Sequence, residues 1–174
     1  MMHRLVRPLA LLTIAFTVTA SAAFAHEGSP PQGANPVCSP HSRAAIKAVM
    51  AAYVDVVNLH DTTLFPAVFH DDYVIYSTAG TFDGLAEVTG VMSALYAAMP
   101  DIHYTVDELL IDGDRATLRY TYTGTNLGGF LGIPATGDTI TCSGLEIDRI
   151  EGGKLVETRN FTDYHCLLTG LGAL

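Results

Sequence analysis

Residues 139–164 decide the fold, and they read TITCSGLEIDRIEGGKLVETRNFTDY. Apolar or β-branched residues alternate with polar ones on both sides of the Glu151-Gly152-Gly153 step. This period of two predicts antiparallel strands over 139–150 and 155–164, with the two glycines in a hairpin turn. Alternation also places Glu146 on the same face as Gly144 and Cys142.

The segment before this hairpin continues the strand pattern. Residues 103–111 and 115–125 are β-prone, and the turn Asp112-Gly113-Asp114 separates them. The intervening residues 126–137 contain four glycines and Pro134, which is typical of a long loop. A loop of this length in a compact domain is usually functional, so we expect it to cover a binding site.

Helical periodicity precedes the strands. Residues 39–58 open with Ser39-Pro40, an N-cap followed by proline at the first helical position, and their apolar residues recur at steps of three and four. A short helical piece is predicted over 62–70, and a helix over 85–98 ends before Pro100. The remaining elements are a short strand over 73–77, a turn over 80–84 and a final helical turn over 166–171.

Helices followed by an antiparallel meander predict an α+β domain in which the helices cover one face of a curved sheet. A strongly bent sheet covered in this way encloses a hollow cone. The size of the chain, 174 residues, is sufficient for one domain with its own core.

The N-terminus has the pattern of a secretory signal. Residues 1–25 combine the basic residues Arg4 and Arg7 with a short apolar run and the small-x-small step Ala23-Phe24-Ala25. We therefore expect cleavage after Ala25 and a periplasmic or secreted protein, with no membrane association once the signal is removed. Residues 26–37 are predicted to form a flexible leader, and residues 38–174 the folded domain.

Charge and cysteine content narrow the choice of partners. The net charge is −9, and no cluster of Lys or Arg occurs, so nucleic acid is not an expected partner. The cysteines Cys38, Cys142 and Cys166 show no metal-ligand spacing, so no zinc site is expected. We expect a disulfide between Cys38 and Cys166, which leaves the third thiol free or paired between chains.

Two segments carry a family resemblance: FLGIPATG at 130–137 and RIEGGKLVE at 149–157. Together with five shorter matches, given below, these segments resemble the SnoaL-like polyketide cyclases in order and spacing. That family has a nuclear-transport-factor-like and ketosteroid-isomerase-like fold. The resemblance extends from residue 44 to residue 171. The shorter matches are DYV at 72–74, MPD at 99–101, GT at 124–125, SGLEI at 143–147 and LLTGLG at 167–172.

The resemblance implies a fold and a chemistry. The fold is a cystatin-like α+β roll, in which a curved antiparallel sheet forms a cone-shaped half-barrel covered by the N-terminal helices. Its pocket is mostly apolar and takes a small hydrophobic molecule, often a cyclic ketone or ester. The chemistry is cofactor-free proton abstraction beside a carbonyl, followed by ring closure. A homodimer through the open face of the sheet is common in this fold.

The resemblance also assigns site residues. In these cyclases a carboxylate on the last strand acts as general acid/base, and matching through Gly153-Lys154 puts Asn160 at that position. An amide cannot accept the proton, although it can donate a hydrogen bond to an oxyanion. Glu146 matches a second pocket position, where desolvation would raise the pKa of its carboxyl into the range of a general base. His165 follows the last strand and is a candidate acid–base group at the pocket. Asp163 is predicted to face solvent.

The candidate pocket wall is aromatic. The leading hypothesis is an exported SnoaL-like enzyme that cyclises, isomerises or hydrolyses a hydrophobic carbonyl or ester compound. The alternative is a non-catalytic protein that holds an apolar ligand in the same cone. The wall candidates are Tyr53, Tyr73, Tyr76, Tyr120, Tyr122, Phe130 and Leu131.

Overall fold

The computed structural model describes residues 40–174, with side chains from residue 43 onward. The expected signal at 1–25, the leader at 26–37 and Cys38 lie outside the described residues. Among the described residues, no helix has the length and apolar character needed to cross a membrane.

The helices pack on one face of a single sheet. α1 (Pro40–Asn58) buries Met50 and Val57 and packs on the strand at 103–112, while α3 (Leu85–Ala98) packs on the strand at 69–77. The stripe of apolar residues predicted for α1 is therefore the face that covers the sheet. The helical elements are α1 (Pro40–Asn58), a 3₁₀ turn (Thr62–Leu64), α2 (Phe65–Val68), α3 (Leu85–Ala98) and α4 (Tyr164–Gly170).

Six strands form the sheet in the order β2-β1-β6-β5-β4-β3. The 103–164 meander is antiparallel throughout, as the hairpin pattern predicts. The strands are β1 (Phe69–Ser77), β2 (Gly80–Asp83), β3 (His103–Asp112), β4 (Arg115–Thr125), β5 (Thr139–Glu151) and β6 (Lys154–Thr162).

The α+β class and the helix-covered curved sheet are confirmed, with two differences in detail. β1 runs parallel to β6, so the sheet is not antiparallel throughout. Residues 80–83 form β2 and not only a turn, because Gly80 with φ of 141° reverses the chain and β2 pairs with the end of β1. β1 also begins at Phe69, inside the predicted helical piece.

Register irregularities mark where the sheet bends. They lie between Phe69 and Val74 in β1, between Val106 and Glu108 in β3 and between Arg149 and Ile150 in β5. A bulge increases the local bend of a strand, so these positions help to curve the sheet around the helices. The concave face carries the buried residues of β4, which are Ala116, Leu118, Tyr120, Tyr122 and Gly124.

The disulfide differs from the expectation. Cys166 on α4 is bonded to Cys142 on β5 and not to Cys38. Cys142 faces the concave side of β5, and α4 folds back over that side directly after β6, so the two sulfur atoms meet across a separation of 24 residues. The bond fixes α4 to the sheet.

Candidate active site

A cavity of about 180 Å³ lies between the helices and the concave face of the sheet. Its floor contains Glu146 and Asn160, and Phe130 and the half-exposed Leu131 of the 126–137 loop lie at its mouth. Aromatic and aliphatic side chains, with two methionines, form most of the remaining wall, so the cavity suits an apolar ligand. The aliphatic side chains and methionines include Val57, Val88, Val91, Met92, Leu95, Met99 and Ile102.

Glu146 is the central polar group of the floor. Its side chain is 6% exposed. The hydroxyl of Tyr53 on α1 donates to Oε2 at 2.9 Å, and the amide of Asn160 on β6 donates to Oε1 at 2.9 Å. Glu146 and Asn160 are register partners on adjacent strands, so the β5–β6 hairpin itself brings the pair together. The sequence-based pairing of these residues in one site matches this geometry.

Asn160 connects Glu146 to a third group. Its Nδ2 also donates to the hydroxyl oxygen of Tyr120 at 2.9 Å, while its Oδ1 accepts a hydrogen bond from Thr162 at 2.8 Å. Both amide hydrogens of Asn160 are therefore engaged. The oxygen of Tyr120 already accepts a hydrogen bond, which leaves its own hydrogen for a ligand or for Thr162, 3.4 Å away.

Gly144 makes room for this arrangement. A Cβ atom at this position would collide with the phenol of Tyr120, which lies flat against the strand. The absence of a side chain lets Tyr120 extend across β5 to Asn160. Any larger residue at position 144 would displace the hydroxyl from the site.

Burial raises the pKa of Glu146, and its hydrogen bonds with Asn160 and Tyr53 partly oppose that effect. Burial and the charge of Glu146 raise the pKa values of Tyr53 and Tyr120, so both phenols are neutral donors. None of the ion pairs formed within residues 43–174 includes Glu146. A carboxylate with a raised pKa, held by two neutral donors, accepts a proton from a ligand more readily than a carboxylate in water.

Most of the predicted wall residues line the cavity. Tyr53, Tyr73, Tyr122, Phe130 and Leu131 all contribute to it, as does Tyr120. The hydroxyl of Tyr122 is buried without a hydrogen-bond partner, although the residue lies in the wall.

Two predicted residues lie elsewhere. Tyr76 is 42% exposed, and the guanidinium of Arg159 lies over its ring, 5.2 Å from the centroid. Alternation along β1 turns Ile75 and Ser77 toward the cavity, so the side chain of Tyr76 lies on the other face. His165 is exposed on α4 and does not line the cavity. The predicted site role of His165 is therefore not supported by its position.

Helical spacing explains the exclusion of His165. Asp163 caps α4 by accepting a hydrogen bond from the backbone N–H of Cys166, and it is exposed as predicted. From that cap, Tyr164 and Leu167, three residues apart, turn toward the cavity. A histidine at position 165 then points away from it.

Sequence analysis did not identify Thr162, which lines the cavity, or Thr158 and Asp148, which lie behind its wall on the same face of the sheet. Thr158 and Thr162 flank Asn160 at a spacing of two, and Asp148 follows Glu146 at the same spacing. The signal was available, since residues two apart on a strand share a face. Among residues 43–174 no group of three His, Cys, Asp or Glu side chains is arranged to hold a metal ion.

The curved, helix-covered sheet of this α+β protein has the ketosteroid-isomerase-like fold. A protein of that fold from Catenulispora acidiphila, solved with trimethylamine, is 16% identical with a TM-score of 0.60 over 72% of this chain and 93% of its own. The sequence profile of the SnoaL-like polyketide cyclases matches residues 47–171. The chain belongs to that family.

Closer structures support the same assignment. TsrD from Streptomyces laurentii is 27% identical with a TM-score of 0.69, and the match covers 76% of this chain and 98% of TsrD. AclR from Streptomyces galilaeus, to which a hydroxylase activity has been attributed, is 30% identical with a TM-score of 0.68 over 75% of this chain and 87% of its own. Among curated proteins, no significant match is found.

Proposed function

We propose that this domain is a cofactor-free acid–base enzyme acting on a small hydrophobic carbonyl or ester compound, which it cyclises or isomerises. The observation that carries the proposal is the Glu146 carboxyl at the floor of an apolar cavity, held by two neutral donors and no cation. Membership of the SnoaL-like polyketide cyclase family supports the same reaction class.

Glu146 is the base in this proposal. It removes a proton from the carbon beside the substrate carbonyl, and the electron pair of that C–H bond moves to form an enolate whose oxygen carries the charge. Burial supports this role, because a carboxylate with a raised pKa is a stronger base than one in water. The apolar wall keeps bulk water from the enolate until the ring closes or the proton returns.

Tyr120 is the better candidate for the oxyanion donor than Asn160. Both hydrogens of the Asn160 amide bond to protein oxygens, whereas the hydroxyl hydrogen of Tyr120 has only the long contact with Thr162, at 3.4 Å, as an alternative to a ligand. Asn160 then acts as a positioning residue that orients Tyr120 and Glu146. This division of roles explains how an amide can stand at the position where the family resemblance implies a carboxylate.

The decisive experiment uses exchange of the α-protons of 2-tetralone, a two-ring ketone, in deuterated water, followed by NMR. We expect the wild type to accelerate exchange and Glu146→Gln to lose about 10²-fold or more of that rate, the usual contribution of a general base. Binding of the ketone should change little, since Gln has nearly the same shape.

Glu157→Gln is the matched control, because Glu157 lies on β6 outside the cavity, where it pairs with Arg159. It should exchange protons at the wild-type rate. A wild type that binds 2-tetralone and a panel of related ketones and esters without accelerating exchange would contradict catalysis. That result would favour the alternative, a non-catalytic binding protein.

The proposal includes a location outside the cytoplasm. The signal-like pattern at 1–25 supports it, as does the Cys142–Cys166 disulfide, since such bonds persist in oxidising compartments. Mass spectrometry of the protein from its producing cell should find an N-terminus at His26. A chain that retains residues 1–25 in the cytoplasmic fraction would rule export out.

A further inference from the structure

A second carboxyl lies beside Glu146, behind the cavity wall. Asp148 is two residues along β5 on the same face and is fully buried, at 0% exposure. It pairs in register with Thr158, just as Glu146 pairs with Asn160 one step along the hairpin. Asp148 does not line the cavity.

Two hydroxyls connect Asp148 to the cavity. Tyr73, which lines the cavity, donates to Oγ1 of Thr158 at 2.6 Å, and Thr158 donates to Oδ1 of Asp148 at 2.5 Å. Each hydroxyl can donate and accept, so the same chain can run in the opposite direction, from Asp148 through Thr158 to Tyr73. A ligand oxygen beside Tyr73 would favour that reversed direction by accepting from its hydroxyl.

The two carboxyls differ in the hydrogen bonds available to stabilise a negative charge on each. Glu146 accepts a hydrogen bond on each oxygen, whereas Oδ2 of Asp148 is buried without a partner. No ion pair within residues 43–174 reaches either group, and a buried carboxylate without a cation is costly. Like charges on two buried carboxyls of neighbouring positions oppose each other, so we expect one proton to remain on the pair, and Asp148 is the weaker site for charge.

The groups facing Asp148 agree with this assignment. Burial raises the pKa of Asp148 most, the charge of Glu146 adds to the rise, and the hydrogen bond from Thr158 opposes it. Tyr53 from α1 and Tyr73 from β1 are the other titratable neighbours, and both have raised pKa values and stay neutral. The neighbour on β4, Ala116, carries no charge.

We propose that Glu146 and Asp148 share one negative charge, and that Asp148 stores a proton which Thr158 and Tyr73 deliver to the ligand oxygen. The delivery rests on the proposed function, whereas the shared charge does not. Asp148 acts through other groups and is a positioning residue in this scheme.

In this scheme Glu146 gains one proton and Asp148 loses one. Glu146 takes the proton from the carbon beside the carbonyl, and the electron pair moves toward the carbonyl oxygen. That oxygen keeps the hydrogen bond from Tyr120 and takes the proton of Tyr73, while Tyr73 takes that of Thr158 and Thr158 takes that of Asp148. The products are an enol, neutral Glu146 and ionised Asp148, so the buried charge moves between the two carboxyls without increasing.

The first test needs no substrate. Carboxyl ¹³C NMR of the ligand-free protein should show Asp148 protonated and Glu146 ionised at neutral pH. In Glu146→Gln the titration of Asp148 should move to lower pH, by about one unit, because a like charge has been removed. An Asp148 that is ionised at neutral pH in the wild type would overturn the shared charge.

The second test separates delivery from structure. Thr158→Val cuts the chain while keeping the shape, and Thr158→Ser keeps the hydroxyl. In the 2-tetralone assay we expect about tenfold slower exchange for the valine variant at unchanged ketone binding, and near wild-type exchange for the serine variant, since a positioned proton donor contributes at least this much.

The outcomes differ for each part of the proposal. Full exchange by Thr158→Val, with exchange lost in Glu146→Gln, would overturn delivery and leave the proposed function standing. No exchange by the wild type would remove both the proposed function and delivery. The NMR titration still decides the shared charge in either case.

Discussion

Two tyrosines of the cavity wall differ in the hydrogen bonding of their hydroxyl groups. The hydroxyl of Tyr73 donates to Thr158, whereas the hydroxyl of Tyr122 is buried without a partner. Tyr73→Phe should lower the free energy of unfolding by about 1 kcal/mol, the net value of a typical hydrogen bond. Tyr122→Phe should leave it unchanged or raise it, because phenylalanine removes an unsatisfied polar group.

Urea denaturation of both variants measures the difference, and each variant serves as the control for the other. The two substitutions remove the same atom from the same cavity wall, so their transfer terms nearly cancel. A loss for Tyr122→Phe equal to that for Tyr73→Phe would show that the hydroxyl of Tyr122 has a partner in solution. In that case a bound water or ligand would be the partner to look for.

Among the elements, α4 depends most on a covalent contact. It spans only Tyr164–Gly170, and Cys166 joins it to Cys142 on β5. Through this bond α4 holds Tyr164 and Leu167 in the cavity wall. A helix of two turns is unstable alone, so its position depends on the disulfide and on the burial of Leu167.

Removal of the disulfide should therefore affect stability and the cavity together. The paired variant Cys142→Ala with Cys166→Ala should lose about 3 kcal/mol of unfolding free energy, as expected for a closed loop of this length. Ketone affinity should fall as well, because α4 carries part of the wall. Thermal unfolding with and without reductant provides the check, and the paired variant itself should be insensitive to reductant. Equal stability in all cases would contradict the structural role.

At the scale of the whole molecule, the buried carboxyl pair sets the pH dependence of stability. The ordinary pKa values are 4.5 for Glu146 and 3.8 for Asp148, and both are raised in the fold. Above these ordinary values the unfolded chain loses protons that the folded chain keeps. The free energy of unfolding should therefore fall as the pH rises, until the pH passes the raised pKa values of the two carboxyls.

Two exposed carboxyls have the opposite effect on the pH dependence of stability. Hydrogen bonds with Thr63 and Thr125 lower the pKa values of Asp61 and Asp101, so their contribution is complete once the pH exceeds the ordinary carboxyl range. The decline above that range then belongs to the pair. Asp148→Asn should flatten it, as followed by urea denaturation across pH. Parallel curves for Asp148→Asn and the wild type would refute this account.

The outer face of the sheet is the candidate surface for a homodimer. Phe161 is 53% exposed there, opposite Leu145 in register, on the side away from the cavity. We expect this face to join two copies of the chain, and Phe161→Glu to give a monomer in light scattering, because a charge in an apolar interface is costly. Glu87→Gln, at an exposed position of α3 on the other side of the sheet, is the control. A monomeric wild type at all concentrations would exclude this assembly.

The sequence by itself determined the α+β class and the four-strand meander. These features follow from local periodicity: a period of two gives each strand a face, and a two-glycine turn ends one strand and begins the next. The family resemblance added the cavity and placed Glu146 and Asn160 in it. Strand alternation alone could also have identified Thr158 and Asp148.

Only the tertiary structure decided which side chains meet across distant elements. It placed Tyr76 and His165 outside the cavity, paired Cys166 with Cys142, and made β1 parallel to β6. It also showed that Tyr53 and Tyr120 reach Glu146 and Asn160 from different elements. These contacts depend on how elements pack and how chain ends fold back, and no periodicity in the sequence encodes that geometry.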